Sequence, residues 1–126
     1  MSTRLHVDMD AALARMGNRV PLYQMLFDSF CEKQPATPSD IQGALERGEL
    51  AEAARIAHSC KSLAANVGIL TIQDTAKDLE EHLYDKPALT EQEVAEVGQL
   101  LSQLSEQFTD LAKDKDEILS ALEKKH

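Results

Sequence analysis

The chain has 126 residues, enough for a single domain with its own core, and its 43% hydrophobic and 28% charged residues are typical of a globular protein. It contains 22 acidic and 13 basic residues, which gives a net charge of −9. Because binding to a phosphate backbone needs clustered Lys and Arg, this charge argues against DNA or RNA as a partner.

The sequence pattern predicts neither a membrane span nor a signal peptide. No stretch reaches the ~20 apolar residues that cross a bilayer, and the N-terminus MSTRLHVDMD lacks the apolar segment of a signal peptide. We therefore expect a cytoplasmic protein that forms one domain over residues 1–126. Cys31 and Cys60 both lie on apolar helical stripes, where buried free thiols are favoured over a disulfide.

The N-terminal region predicts a loose arm followed by a short helix. Residues 1–7, which include His6, are expected to form the arm. Asp8 or Asp10 is a suitable N-cap for a helix that runs to Met16 and is ended by Gly17.

The next stretch predicts a helix rich in aromatic residues, followed by an interruption. Pro21 fits the first turn of this helix, and residues 34–38 (QPATP) are expected to break or kink it. Thr37 is a good N-cap for a helix that continues to Gly48. The pattern leaves open whether this region is one bent helix or two. The expected core residues here are Leu22, Tyr23, Leu26, Phe27, Phe30, Ile41, Ala44 and Leu45.

The second half of the chain predicts three helices. The first covers residues 49–68, and Thr71 opens the second through a capping box with Asp74. A similar box from Thr90 opens the longest helix. Residues 113–126 are expected either to extend that helix past the bundle or to fray. The apolar residues of the longest helix alternate three and four apart, as in a bundle seam: Val94, Val97, Leu101, Leu104, Phe108 and Leu111.

These elements predict an all-α fold. No segment alternates with period two, and no Asn-Gly or Asp-Gly hairpin signal is present. Because short connections force neighbouring helices to run antiparallel, we expect an up-down-up-down four-helix bundle with a short extra N-terminal helix.

The helix over residues 49–68 has an unusual polar face. His58 points about 145° away from the centre of the apolar stripe, toward solvent. Lys61 lies one turn further on, and the other positions of this face are small: Ala51, Ala54, Ser62 and Ala65. The pattern predicts an exposed imidazole on a low surface that suits docking of another protein. The apolar stripe consists of Leu50, Ala53, Ile56, Ala57, Cys60, Leu63, Ala64 and Val67.

Residues 58–68, HSCKSLAANVG, resemble the signature of histidine-containing phosphotransfer (HPt) domains. In that family the phosphorylated His is followed by a hydrophobe at +2, Lys at +3, Gly at +4 and a run of small residues that ends near a Gly. This chain departs from the pattern with Ser62 at +4 and Leu63 at +5. Serine is still small, so access to the imidazole is expected to be preserved.

The resemblance implies a phosphorelay intermediate. His58 would accept a phosphoryl group on Nε2 from a receiver-domain aspartate and pass it to another receiver, while Lys61 compensates charge. The implied partners are the receiver domains of a hybrid sensor kinase and of a response regulator, whose own Mg²⁺ would serve the reaction, so that this chain needs no cofactor. We expect a monomer without kinase activity. The expected docking residues are Ala54, Ser62, Ala65 and Ile69.

Hairpin geometry adds Glu80 to the candidate site. The helix that carries His58 turns near Ile69, eleven residues later, so a residue eleven positions past the turn lies level with His58. Chemotaxis-type HPt domains are similar, with a glutamate at this spacing bonded to the imidazole. Such a carboxylate would orient the ring and leave Nε2 free. The alternative is a solvated helix acid.

Other chemistries have less support in the sequence. His82 is interpreted as a solvated histidine near a helix C-terminus. No set of Cys and His residues has zinc-ligand spacing, and no GxxxxGK loop for nucleotide binding is present. Two alternatives to the phosphorelay function remain: an acidic helical module that binds a partner without chemistry, and, more weakly, a helical enzyme with a buried site.

Overall fold

The computed structural model describes residues 5–125 of the protein, and these residues confirm the all-α prediction. No strand is present within this range beyond one isolated bridge between Val7 and Ile69. The helices are α1 (Met9–Arg15), α2 (Val20–Lys33), α3 (Thr37–Glu46), α4 (Leu50–Val67), α5 (Leu70–Leu83) and α6 (Glu91–Glu123). None of the described helices is long and apolar enough to cross a membrane.

The proline-containing stretch interrupts the α-helical backbone without ending the helical path. A single 3-10 turn over Gln34–Ala36 joins α2 directly to α3. The prediction that Thr37 is an N-cap is wrong, because the backbone is already helical at Ala36 and no side chain caps α3. Instead the Thr37 hydroxyl donates to Oε1 of Gln34 at 3.0 Å, and its side chain is buried.

Helix α4 lies at the centre of the bundle, where it contacts α1, α2, α3 and α5. The hydroxyl of Tyr23 on α2 donates to the backbone carbonyl of Val67 at 2.6 Å, at the C-terminal end of α4. The ring of Phe30 on α2 lies 5.8 Å from that of Phe108 on α6. These contacts enclose one apolar core, whose largest fully buried side chains include Tyr23, Phe27, Ile41, Ile72, Leu79, Leu83, Leu104 and Leu111.

Residues 5–7 contact the rest of the protein, so the prediction of a loose arm is wrong for them; residues 1–4 lie outside the described range. Leu5 is buried. The backbone carbonyl of His6 accepts from Leu70 N–H at 2.8 Å, and Asp8 N–H donates to the carbonyl of Gly68 at 2.8 Å. This backbone pairing ties the segment to the turn between α4 and α5, and Asp8, one of the two predicted N-cap candidates, caps α1.

The start of α5 differs from the sequence prediction. Ile69 is the N-cap, and no side chain caps the helix, so the capping box at Thr71 is wrong. The hydroxyl oxygen of Thr71 accepts instead from the backbone N–H of His6 at 2.6 Å. The Thr71 hydroxyl, which was predicted to cap α5, therefore bonds to the N-terminal segment instead.

Helix α6 confirms its predicted start and extends to Glu123. The Thr90 capping box is present in both directions, through Thr90 and Glu93. Residues 113–123 stay helical, because Ile118 is buried and Leu122 is only 2% exposed. Val94 is not part of the seam: it lies near the start of the helix and is 57% exposed.

Candidate functional site

Helix α4 presents His58 on its solvent face, as the helical periodicity predicts. The helix buries Ala53, Ala57 and Cys60 on the opposite side. The side chain of His58 is 57% exposed. The helix ends at Gly68, which has the left-handed conformation (φ 74°) that a C-terminal glycine adopts with little strain.

Glu80 on α5 contacts the His58 ring. Its Oε2 lies 2.7 Å from Nδ1 of His58. The connection between the two helices consists of Gly68 and Ile69 only, so α5 returns alongside α4 with His58 and Glu80 at the same level. The contact expected from hairpin geometry is therefore present.

Lys61 binds the other oxygen of the same carboxylate. Its Nζ donates to Oε1 of Glu80 at 2.6 Å, and the glutamate side chain is only 18% exposed. Partial burial raises the pKa of Glu80, but the hydrogen bonds from Lys61 and His58 outweigh this effect and hold the pKa below its usual range. Glu80 is therefore an anion at neutral pH, with both oxygens engaged.

This geometry selects one tautomer of the imidazole. A carboxylate accepts hydrogen bonds and does not donate them, so Nδ1 of His58 carries the proton. In the neutral ring the lone pair is then on Nε2. Among residues 5–125 no group bonds Nε2, and with 57% of the side chain exposed a reactive partner has access to the ring.

Two of the four predicted docking residues do lie at the surface. Ser62 is exposed, and Ala65 is partly exposed. The backbone carbonyl of Ala65 accepts from the guanidinium of Arg15 at 2.6 Å, which brings a cation from α1 to this side of the site. Leu63, expected in the core, is 38% exposed.

The other two predicted docking residues are buried. Ala54 is 8% exposed because it lies on the side of α4 that faces α5, and Ile69 is fully buried in the turn that the N-terminal segment covers. The prediction that a partner can contact the side chains of Ala54 and Ile69 is therefore wrong. Ala54 contributes instead to the floor of a neighbouring cleft.

That cleft was missed by sequence reasoning. It has a volume of about 800 Å³ and opens beside His58, between the first half of α4 and the end of α5. Tyr84 lines it and is 67% exposed. The only sequence signal was an aromatic residue just beyond the end of a helix. Its other lining residues include Ala51, Arg55, Glu81 and Asp85.

His82 is not a solvated side chain, contrary to its interpretation from sequence. Its Nδ1 lies 2.8 Å from the carbonyl oxygen of Asp78, and its Nε2 lies 2.9 Å from Oε2 of Glu96 on α6. The backbone bond to Asp78, followed by the bond to Glu96, outweighs burial and raises the pKa of His82. Both nitrogens are thus occupied in a contact between α5 and α6.

The cysteines are free thiols, as expected. Cys60 is fully buried and Cys31 is partly buried, and burial raises the pKa of each thiol to about 11. Neither is a thiolate at neutral pH, which removes both as nucleophiles. Among residues 5–125 no cluster of three or more His, Cys, Asp or Glu side chains could hold a metal ion.

Fold and site together define an all-helical domain that displays one carboxylate-oriented histidine on the surface of a central helix. The family model of the Hpt domain matches residues 25–114, more than half of the chain, and the protein belongs to this family. The resemblance of residues 58–68 to HPt domains is thereby confirmed. Hpt domains carry out phosphotransfer in two-component signalling. No curated protein and no solved structure matches the chain.

Proposed function

We propose that His58 is the phosphoacceptor, which takes a phosphoryl group from the aspartyl phosphate of one receiver domain and passes it to the aspartate of another. The observation that carries this proposal is the 2.7 Å contact between Nδ1 of His58 and Glu80, with Nε2 left open on an exposed ring. A neutral imidazole with its lone pair directed outward is a competent nucleophile at cell pH.

The transfer balances without a base on this chain. The Nε2 lone pair forms the P–N bond while the P–O bond of the aspartyl phosphate breaks, and the aspartate leaves with the bonding electron pair. The ring keeps its Nδ1 proton and becomes a phosphorylated imidazolium. Glu80 stabilises that positive ring through the same hydrogen bond. Onward transfer reverses these steps with a second receiver aspartate.

Lys61 is proposed to compensate part of the negative charge of the phosphoryl group. Its hydrogen bond to Glu80 limits how much it can contribute. Phosphorylation adds about −1.5 to −2 charges to the surface of the helix. The ammonium of Lys61 is one turn from His58 but already bonded to Glu80 at 2.6 Å. The lysine therefore acts on the phosphoryl group as a nearby point charge, and most of the charge compensation comes from the partner.

The remaining requirements are met by the partners. We propose that the receivers belong to a hybrid sensor kinase and a response regulator, that the receiver supplies Mg²⁺, and that the protein is a cytoplasmic monomer without kinase activity. The net charge of −9 disfavours nucleic acid as a partner.

We infer an up-down-up-down order for α2–α3, α4, α5 and α6, which is supported by the short connections between them.

A labelling experiment tests the proposal. A phosphorylated receiver with Mg²⁺ is expected to label the wild type and His82→Gln but not His58→Gln, and the label is expected to be acid-labile. His82 is the matched control because it is the second helical histidine and both its nitrogens are occupied. Label that persists in His58→Gln contradicts the assignment. Stable binding of a receiver without any transfer would favour the alternative, a non-catalytic acidic interaction module.

A further inference from the structure

The cleft beside His58 has no role in the chemistry described above. We propose that this cleft, floored by Ala51 and Ala54 and bounded by Tyr84, is the contact by which the protein selects its receiver. Its occupant is an apolar side chain on the receiver that is flanked by Lys or Arg. The inference rests on the proposed function, because it assigns a docking contact to the same phosphotransfer reaction.

The cleft lies so close to His58 that a receiver must cover it during phosphoryl transfer. His58 and Glu80 themselves belong to its wall. A phosphoryl group bound for Nε2 must come within bonding distance of this ring. A partner large enough to carry an aspartyl phosphate therefore covers the cleft at the moment of transfer.

Tyr84 has the properties of an interface anchor. It is the most exposed large hydrophobic side chain among residues 5–125, at 67%. Its backbone is fixed where α5 ends: Tyr84 N–H donates to the carbonyl of Glu80 at 2.7 Å. A tyrosine side chain has only two rotatable χ angles and so loses little conformational entropy on binding, and tyrosine is enriched among residues that dominate binding energy.

The floor of the cleft is apolar and low. Ala51 and Ala54 present only methyl groups along the first half of α4, so the space of about 800 Å³ above them stays open. On the other side of His58 the helix presents the small side chains of Ser62 and Ala65, which do not line the cleft. An apolar side chain of the receiver therefore gains buried area on the Tyr84 side.

The charges around the cleft determine what flanks that side chain. Glu81 and Asp85 line the cleft and are exposed. The one cation of the lining, Arg55, is bound by both oxygens of Glu52, at 2.8 and 2.7 Å. Its charge is thus compensated within the protein, and the rim is acidic. Complementarity requires Lys or Arg on the receiver beside the inserted apolar group.

Transfer kinetics with a phosphorylated receiver test the proposal. Tyr84→Ala is expected to raise KM by about tenfold or more, because removal of an interface anchor typically weakens binding by at least this factor. We expect kcat to change much less. Val94→Ala is the matched control, because Val94 is 57% exposed but lies outside the cleft. Phosphoramidate labelling of His58 measures ring reactivity without a receiver. Unchanged KM in Tyr84→Ala, or an equal loss in phosphoramidate labelling, overturns the proposal.

The acidic rim gives a second, independent measurement. Glu81→Lys with Asp85→Lys is expected to raise KM for the receiver most strongly at low ionic strength, with the difference shrinking as salt is added. A KM that does not depend on these charges contradicts the basic flank of the occupant. Failure of the proposed function is distinguishable, because in that case the wild type itself takes no label at His58.

Discussion

The carboxylate of Glu80 lies 2.7 Å from Nδ1 of His58, across two helices that are joined by only two residues. The turn fixes the level of the two side chains, and the second oxygen of the carboxylate is held by Lys61. Glu80 therefore cannot rotate freely away from the ring without losing two hydrogen bonds. This makes the ring orientation a property of the α4–α5 hairpin and not of the histidine alone.

Removal of Glu80 is expected to slow phosphorylation while the fold is retained. In Glu80→Ala the ring loses the group that holds the proton on Nδ1. We expect phosphoramidate labelling to slow by roughly ten- to a hundredfold, by analogy with the loss seen when the carboxylate that orients a metal-binding histidine is removed. Nitrogen-detected NMR of the ring is expected to show a changed tautomer ratio.

Asp74→Ala is the control for this measurement, because Asp74 is an exposed acid of the same helix that does not contact His58. Identical tautomer ratios in the wild type and in Glu80→Ala would show that the contact does not orient the imidazole.

Ser62→Trp is expected to block receiver docking without unfolding the protein. Ser62 is exposed one turn beyond His58, so an indole there occupies the space that a receiver needs, while such surface changes shift stability by only about ±0.5 kcal/mol. We expect loss of receiver-dependent labelling with unchanged helical circular dichroism. Ser102→Trp, at an exposed position of α6, is the control. Normal transfer in Ser62→Trp would place the docking surface elsewhere.

The sequence was sufficient for features that depend on one helix or one tight turn. The exposure of His58 follows from 3.6-residue periodicity, and the level of Glu80 follows from the short turn at Ile69. Periodicity around one helix does not say where its neighbour packs. Ala54 was therefore expected at the surface but is covered on the side facing α5, and the cleft at Tyr84 was not found.

The capping predictions show the same limit at the level of hydrogen bonds. Among residues 5–125 no other group competes for Thr90 at the start of α6, and its capping box is present as predicted. Thr71 is reached by the backbone of the N-terminal segment, and Thr37 by Gln34. A local pattern predicts a cap only when no tertiary partner takes the same hydroxyl.

Gly68→Ala is expected to destabilise the protein strongly. A Cβ at this position would overlap the backbone carbonyl oxygen of Asp8, and the φ of 74° is itself unfavourable for alanine by roughly 1–2 kcal/mol. Because the obstruction is backbone, it cannot move without breaking the pairing of residues 6–8 with the turn. We expect the free energy of unfolding in urea to fall by more than about 2 kcal/mol.

Gly98→Ala is the matched control for that substitution. Gly98 lies inside α6, and an added Cβ meets no atom within 4 Å. The same change is therefore expected to raise the free energy of unfolding by about 0.5–1 kcal/mol through helix propensity. Equal effects of the two substitutions would contradict the close approach at Gly68.

The His82 contact is expected to make the stability of the protein fall as the pH rises above 6.5. The bonds to the Asp78 carbonyl and to Glu96 raise the pKa of His82 in the folded state above that of the unfolded chain, where it is 6.5. The folded state therefore binds the proton more tightly. The stabilisation is fully present below pH 6.5 and is lost as the pH rises through the folded-state pKa.

We expect His82→Gln to lower the free energy of unfolding more at pH 5.5 than at pH 9. His6→Gln is the control, since His6 meets its neighbours through backbone atoms. A difference between wild type and His82→Gln that is the same at both pH values would show that the imidazole does not gain a proton from the α5–α6 contact.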